Sequence, residues 1–344
     1  MKVFVTGVEG YIGALLVPIL IERGHDVIGL DTGYYRDGWL YSDNKLMKQF
    51  STLVNKDLRR ISGDDLAGCD AIVHLAELSN DPLGQNNPEN TFKINHIGSL
   101  ELAKTAKRQG VPRFVYTSSC SVYGLGSGEF LTETDNTNPQ TAYAKCKVMV
   151  ERDVGALADE SFSPTFLRNA TAYGASPRMR FDIVVNNLSG LAWTTKKIAM
   201  TSDGTPWRPL VHVLDICEAI VCSVEAPREV IHNQKFNVGH DADNYQVKDI
   251  AHIVGEVFPG CEVTLGNSGG DNRSYRVSFE KISSRLPGFQ CRWSAREGAI
   301  QLREIFERIE MPREIFEFRA FTRLKQLEFL IRTKQIDDEF FWRY

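Results

Sequence analysis

The sequence predicts an open, doubly wound α/β fold, a parallel sheet with helices on both faces. A smaller, interwoven α/β substrate domain and a helical C-terminal extension complete it. Three observations point there. Short β-rich runs alternate with helical stretches through the first half, the pattern of βαβ units. A glycine-spaced turn joins the first strand to the first helix. The run 71–76 is apolar except for His74, as a strand buried on both faces should be.

Taken in order, strands are expected at 2–6, 26–31, just before Lys56, 71–76, 113–118 and 163–168. Helical patterns fall at 11–23, 88–109 and 141–157. After residue 170 the pattern loosens. Turn signals at 202–206 and 266–270 flank strands near 210–213 and 235–238, with a helix over 215–224. From Ala295 onward the chain reads as helices rich in Arg, Glu and Phe. The expected division is a dinucleotide-binding domain over 1–170, to which the chain returns around 208–240, and a substrate domain over 171–344. A tail from about 295 carries Phe318, Phe321, Leu324, Leu327 and Leu330 at helical spacing, expected as core, lid or dimer contact.

Composition narrows the function classes. The 344 residues suffice for about two domains at roughly 150 residues each. Hydrophobic residues at 42% and charged residues at 24% exclude wholesale disorder. Lys+Arg 40 against Asp+Glu 44 gives a net charge of -4, which argues against a nucleic-acid partner. No apolar run approaches the ~20 residues of a membrane helix, and no secretory signal is visible. Seven cysteines, an odd number without CxxC spacing, suit neither a disulfide framework nor a metal site. Reduced thiols in the cytoplasm are the expectation.

Gly7-Val8-Glu9-Gly10-Tyr11-Ile12-Gly13 follows the first strand directly and opens the first helix. Glycines at this spacing permit a tight turn and let a pyrophosphate reach the free N–H groups of the helix end. The second strand ends in Asp31, whose carboxylate can accept both ribose hydroxyls of NAD and would repel the 2′-phosphate of NADP. This is a Rossmann-type arrangement. Asp57, with Leu58, stands where a carboxylate could meet an adenine amino group, or else cap the next segment. Leu75 and Ala76 end the fourth strand with room for a nicotinamide ribose, and His74 reads as a core histidine.

Tyr143 and Lys147 stand four apart on one helix face. A nearby ammonium favours phenolate, making the tyrosine a usable general base for a sugar hydroxyl. Upstream, Thr117-Ser118-Ser119-Cys120-Ser121-Val122-Tyr123-Gly124 leaves the fifth strand with hydroxyls that can hold the same substrate oxygen.

Together these motifs resemble the extended short-chain dehydrogenase/reductases of the NAD-dependent nucleotide-sugar epimerase/dehydratase group, UDP-glucose 4-epimerase among them, over about residues 1–290. The segment from Pro206 to Asp215 and Phe236-Asn237-Val238-Gly239 belong to the likeness. The resemblance implies a retained NAD, with Ser119, Tyr143 and Lys147 as the catalytic set. It places Thr117 and Asn95 beside the cofactor. It implies that Asn187-Leu188, Arg208, Asp271 and Arg273 meet the nucleotide diphosphate. It also implies a homodimer through the helices carrying Asn95 and Tyr143.

Departures bear on the reaction. Family dehydratases carry Asp-Glu after the catalytic hydroxyl, and decarboxylases share that glutamate; here the pair is Cys120-Ser121. Arg168-Asn169-Ala170-Thr171 replaces the usual Arg-Tyr-Phe-Asn, and Glu77 stands where a small residue is usual. The sugar pocket is therefore expected among Ser79, Asn80, Cys120, Ser121, Asn169 and Thr171, with Cys120 chiefly a packing residue. The expected activity is 4-epimerisation through a transient 4-keto sugar. A 4-ketoreductase, an atypical dehydratase and, more remotely, a non-catalytic NAD-binding regulator are the alternatives.

Overall fold

Seven runs of β-branched and aromatic residues form one parallel sheet in this computed structural model, which describes residues 1–42, 52–79, 87–267 and 273–343. They are β1 (Lys2–Thr6), β2 (Asp26–Asp31), β3 (Thr52–Asn55), β4 (Ala71–His74), β5 (Arg113–Ser119), β6 (Ser163–Asn169) and β7 (Gln234–Val238). Their order is β7-β6-β5-β4-β1-β2-β3, so the winding direction reverses between β1 and β4. In open α/β sheets that switch point opens a crevice at the carboxyl ends of the strands.

Period-two alternation sends the strand residues to two separate cores. Val3, Val5, Val73, Val115 and Leu167 pack with Leu16 and Leu20 of α1 (Gly13–Glu22). Phe4, Ile72, Phe114, Tyr116 and Phe166 face the other way. They meet α2, a composite of Pro88–Thr91, a π-helical stretch Phe92–Gly98 and Ser99–Arg108, and α3 (Ala142–Gly155). The uniform helix expected over 88–109 is thus widened in its middle. Ser99 Oγ donates to Asn95 O there (2.6 Å), and such π segments recur at functional sites.

β4 ends at His74, two residues earlier than its apolar run suggests. Thr6 Oγ1 accepts from the N–H groups of Leu75 (3.2 Å), which it shares with Thr6 O, and of Ala76 (3.1 Å), where the ladder stops.

The second half is woven through the first. After α4 (Val184–Thr195), strand Trp207–His212 pairs with Thr171–Tyr173 and Asn244–Gln246. Next, α5 (Val213–Glu225) returns to pack its apolar face with α1, and β7 joins the edge of the large sheet beside β6. α6 (Val247–Val257) and α7 (Ala295–Arg308) close the smaller lobe. The tail is not one helix. It breaks into a short helix Arg313–Glu317, a turn at Arg319–Phe321 and α8 (Arg323–Arg332). Phe321 O accepts from Phe181 N (2.9 Å) and Asp182 Oδ2 accepts from Arg323 N (3.2 Å), so the chain is turned to meet that loop.

Behind the end of β5 lies a buried ion pair. Arg168 Nη2 reaches Glu151 Oε2 at 2.7 Å, with both side chains 2% exposed. Ser118 Oγ donates to Glu151 Oε1 (2.6 Å), and Arg168 Nη1 donates to the Tyr123 hydroxyl (2.9 Å). Removing one partner strands a buried charge. Glu151→Ala is expected to cost about 3–5 kcal/mol in urea unfolding, against about 1 kcal/mol for Ser118→Ala.

Candidate active site

The loops leaving β1, β2, β4, β5 and β6 surround a cleft of about 730 Å³ that continues between the two lobes. At one end are Gly7, Gly10, Tyr11, Ile12 and Gly13. Gly7 has φ +78, and a Cβ there would stand 2.9 Å from Ala76 N. A Cβ on Gly13 would stand 2.2 Å from Gly7 O. Backbone alone fits the turn, which leaves its surface open to an anion. Tyr11 contributes backbone; its hydroxyl turns away to donate to Gly174 O (2.6 Å).

Asp31 ends β2 on the wall of the cleft. Its Oδ2 accepts from Glu9 N (3.0 Å) and its Oδ1 from Gly33 N (2.8 Å), with burial pushing the carboxyl above its ordinary range. Asp57 and Leu58 also line this end. The Asp57 carboxylate caps the following turn through Arg59 N (2.8 Å) and pairs with the Arg59 guanidinium (2.8 Å), so the capping alternative describes its bonds.

The tail reaches the same end. Trp342 Nε1 donates to Thr32 O (2.7 Å), Gln326 Nε2 to Tyr34 O (2.9 Å), and the Tyr34 hydroxyl to Phe340 O. Arg323 lies 4.0 Å over the Tyr35 ring and lines the cleft. Arg180, also on the wall, pairs with Asp182 (2.8 Å) and donates to Ser79 Oγ and O (3.3 Å each). Neither arginine is apparent from the sequence as a site residue. The one signal for Arg180 is the dense Arg178-Met179-Arg180-Phe181-Asp182 run, and Arg323 has none.

The middle of the cleft holds Ser119, Tyr143 and Lys147. Thr141 N-caps α3 through Ala144 N (3.2 Å), which fixes where the first turn presents Tyr143. One turn on, Lys147 is 3% exposed; its Nζ lies 5.2 Å from the Tyr143 ring and donates to Thr117 O (2.5 Å). Ser119 Oγ accepts from Ser121 N (3.1 Å). Leu75, Ala76, Thr117, Ser121, Asn169 and Thr171 complete the wall. Ser121 Oγ and Asn169 Oδ1 are buried there without a hydrogen-bond partner, the condition of polar atoms awaiting a ligand.

At the far end, Asn187 lines the cleft from the first turns of α4, with Arg208 and Arg273 facing it. Arg208 Nη1 donates to Trp207 O (2.8 Å) and to Arg273 O, which ties the two basic residues together.

A model of the family described as "NAD dependent epimerase/dehydratase family" matches residues 3–239. The chain belongs to the NAD dependent epimerase/dehydratase family. A UDP-glucose 4-epimerase of Corynebacterium glutamicum is 27% identical over 303 residues, 83% of this chain and 90% of that one. UDP-glucuronic acid decarboxylase 1 of Arabidopsis thaliana is 28% identical over 342 residues, 93% of this chain and 70% of that one. Among solved structures, MoeE5 in complex with UDP-glucose and NAD has a TM-score of 0.76 and 26% identity, covering 90% of this chain and all of that one.

The family's cofactor is NAD, and the cleft suits it: a glycine turn that a Cβ would fill, an acid ending β2, and orphaned polar atoms beyond them. Three expected positions need correction. Cys120 does not line the cleft; its thiol is buried, donates to Arg168 O (3.1 Å), and is pushed up by desolvation. Asn95 stands behind the wall, with its amide clamping Leu78 N (2.9 Å) and Leu78 O (3.0 Å), so it supports the loop rather than touching cofactor. Leu188 points into the core of the smaller lobe. Asn80 and Asp271 lie outside the described residues.

His74 is a core histidine. Ser99 Oγ, which donates to Asn95 O, can only accept from His74 Nε2 (2.7 Å), so Nδ1 accepts from the Thr6 hydroxyl (2.7 Å). Burial, then the Lys147 charge, pushes it from 6.5 down to about 3. Between those values only the unfolded chain takes a proton here, so His74 makes stability fall as pH falls, by at most about 1.4 kcal/mol per unit. Asp215, raised by burial to about 6, acts in the opposite sense. The difference between wild type and His74→Gln isolates the histidine: urea midpoints measured from pH 7 to pH 4 are expected to show the shallower acid loss in the variant.

Proposed function

We propose that this enzyme is an NAD-dependent nucleotide-sugar 4-epimerase. The observation that carries the reading is the pairing of a Ser119/Tyr143/Lys147 wall with a neutral residue pair after Ser119. Cys120 is turned to the core and Ser121 offers only a hydroxyl, so no carboxylate follows Ser119 to draw a proton from C5 or to assist decarboxylation. The UDP-glucose 4-epimerase of Corynebacterium glutamicum named above supports the same choice.

Arg208, Arg273 and Asn187 would hold the nucleotide diphosphate at the far end, since guanidinium groups match phosphate oxygens in geometry and charge. That seats the sugar against Tyr143. Gly7 to Gly13, Asp31 and Lys147 would hold NAD, which supplies the reversible acceptor for the hydrogen on C4. Tyr143 takes the C4 hydroxyl proton while Ser119 holds the oxygen, and Lys147 favours the phenolate. Release of the 4-keto sugar from this wall and rotation about its diphosphate tether would turn its other face to the cofactor, where the C4 hydride would be given back as Tyr143 returns the proton to O4.

A UDP-hexose deuterated at C4 tests this. The label is expected to stay on C4 through interconversion, without external NADH and without solvent deuterium entering the ring. Solvent deuterium at C5 or C6 would identify an elimination and overturn the assignment. Tyr143→Phe is expected to lower kcat by roughly 10²–10⁴ while leaving bound NAD in place. Arg208→Ala is expected to raise KM for the nucleotide sugar at least about tenfold.

A further inference from the structure

A buried carboxylate sits against the catalytic lysine. Glu77, three residues past β4, is 2% exposed at its side chain and lines the cleft. Its Oε2 lies 2.5 Å from Lys147 Nζ, and its Oε1 accepts from the Tyr116 hydroxyl (2.5 Å). Lys147 Nζ in turn stands 4.6 Å over the Tyr116 ring and 5.2 Å over the Tyr143 ring.

The position of Glu77 follows from the fold. β4 and β5 are parallel neighbours with His74 opposite Tyr116. The chain leaving β4 therefore crosses the carboxyl end of β5, where Tyr116 and Thr117 lie. Asn95 holds the next residue, Leu78, at both its N–H and C=O. The carboxylate is thus fixed from both sides.

A serine, tyrosine and lysine set works because an uncompensated ammonium stabilises phenolate. Here the ammonium has a carboxylate in contact with it, and both side chains are buried. At such distances an opposite charge moves a pKa by about 1–3 units, and a counter-charge removes a comparable share of that effect.

We propose that Glu77 is a positioning residue for the base. It is a fixed counter-charge that anchors the Lys147 ammonium and withholds part of its field from the Tyr143 phenol. This rests on the reading of Tyr143 as the base, and it adds a term to that reading. The phenol is tuned by a neutral ion pair, so it yields its proton at a higher pH than it would beside the lysine alone. The other groups around the pair are few. Tyr116 faces it from β5 and His74 from β4, Cys146 adjoins it on α3, and Arg180 acts on Tyr143 from across the cleft. Burial holds His74 and Cys146 neutral near pH 7, and Arg180 is tied to Asp182. Glu77 is the carboxylate in contact with Lys147 among the described residues.

The test is a phenolate absorbance titration of the purified holoenzyme, with Tyr143→Phe as the blank, so that its readout does not depend on turnover. Glu77→Gln keeps shape and removes charge; the Tyr143 transition is expected at least about one pH unit lower than in wild type. Tyr116→Phe removes one hydrogen bond to the carboxylate and is expected to shift the transition the same way by less. It carries the test if the glutamine variant does not fold. Lys147→Met is expected to raise the transition further in the Glu77→Gln background than in wild type. Unchanged transitions in the folded variants, or a rise in Glu77→Gln, would overturn the proposal. So would C5 exchange with solvent that disappears in Glu77→Gln, because Glu77 would then act on the sugar itself. Activity retained by Tyr143→Phe would sink the base assignment separately.

Discussion

The ammonium of Lys147 is the charge around which this site is arranged. A buried ammonium needs partners in fixed places, because an unpaired one costs several kcal/mol. β5 supplies a carbonyl at Thr117, and the turn after β4 supplies the Glu77 carboxylate. Both stand where they do because β4 and β5 run parallel with His74 opposite Tyr116, so the chain leaving β4 passes beside the last residues of β5. Tyr143, one helical turn before the lysine on α3, then faces the cleft in the company of Ser119. The buried pair of Glu151 on α3 and Arg168 on β6 steadies the back of the same wall through Ser118. Two ion pairs, one facing the cleft and one behind it, flank the end of β5.

Charge is divided along the rest of the cleft. The glycine turn offers backbone N–H groups and almost no side-chain bulk. Arg180 and Arg323 stand on the wall near it, with Asp182 and Asp31 as their counter-charges. Arg208 and Arg273 form a second basic pair at the opposite end. A chain of net charge -4 thus presents a cleft suited to two anionic ligands arranged head to tail. The C-terminal segment bears on the first of these ends. Trp342, Phe340 and Gln326 bond to the loop after β2, far in sequence but adjacent in space.

What could be read from the sequence was what local spacing encodes. The glycine turn, the acid ending β2 and the Tyr143/Lys147 pair each need only a few neighbouring residues and the period of one element. The parallel sheet was legible for the same reason, since each of its strands is a short apolar run. What escaped depends on partners distant in sequence. Glu77 read as an odd substitution, because only the β4–β5 register brings it to Lys147. Arg180 and Arg323 come from segments about 140 residues apart. Cys120 adjoins Ser119 and so reads as a pocket candidate, yet it opens the tight turn after β5 and its buried thiol meets Arg168 O, the packing role the sequence favours. The tail is helical as its spacing suggests, but the place where it breaks was not legible, because it exchanges hydrogen bonds with the distant loop at Phe181 and Asp182.

On the proposed reading, one cleft carries a resident NAD and a nucleotide sugar against the same tyrosine. Native mass spectrometry of the purified protein addresses it most directly. The account predicts one NAD per chain, together with a nucleotide-sugar mass that added UDP-hexose displaces. A chain that holds NADP instead, or that carries no dinucleotide and takes up none when NAD is added, would contradict it.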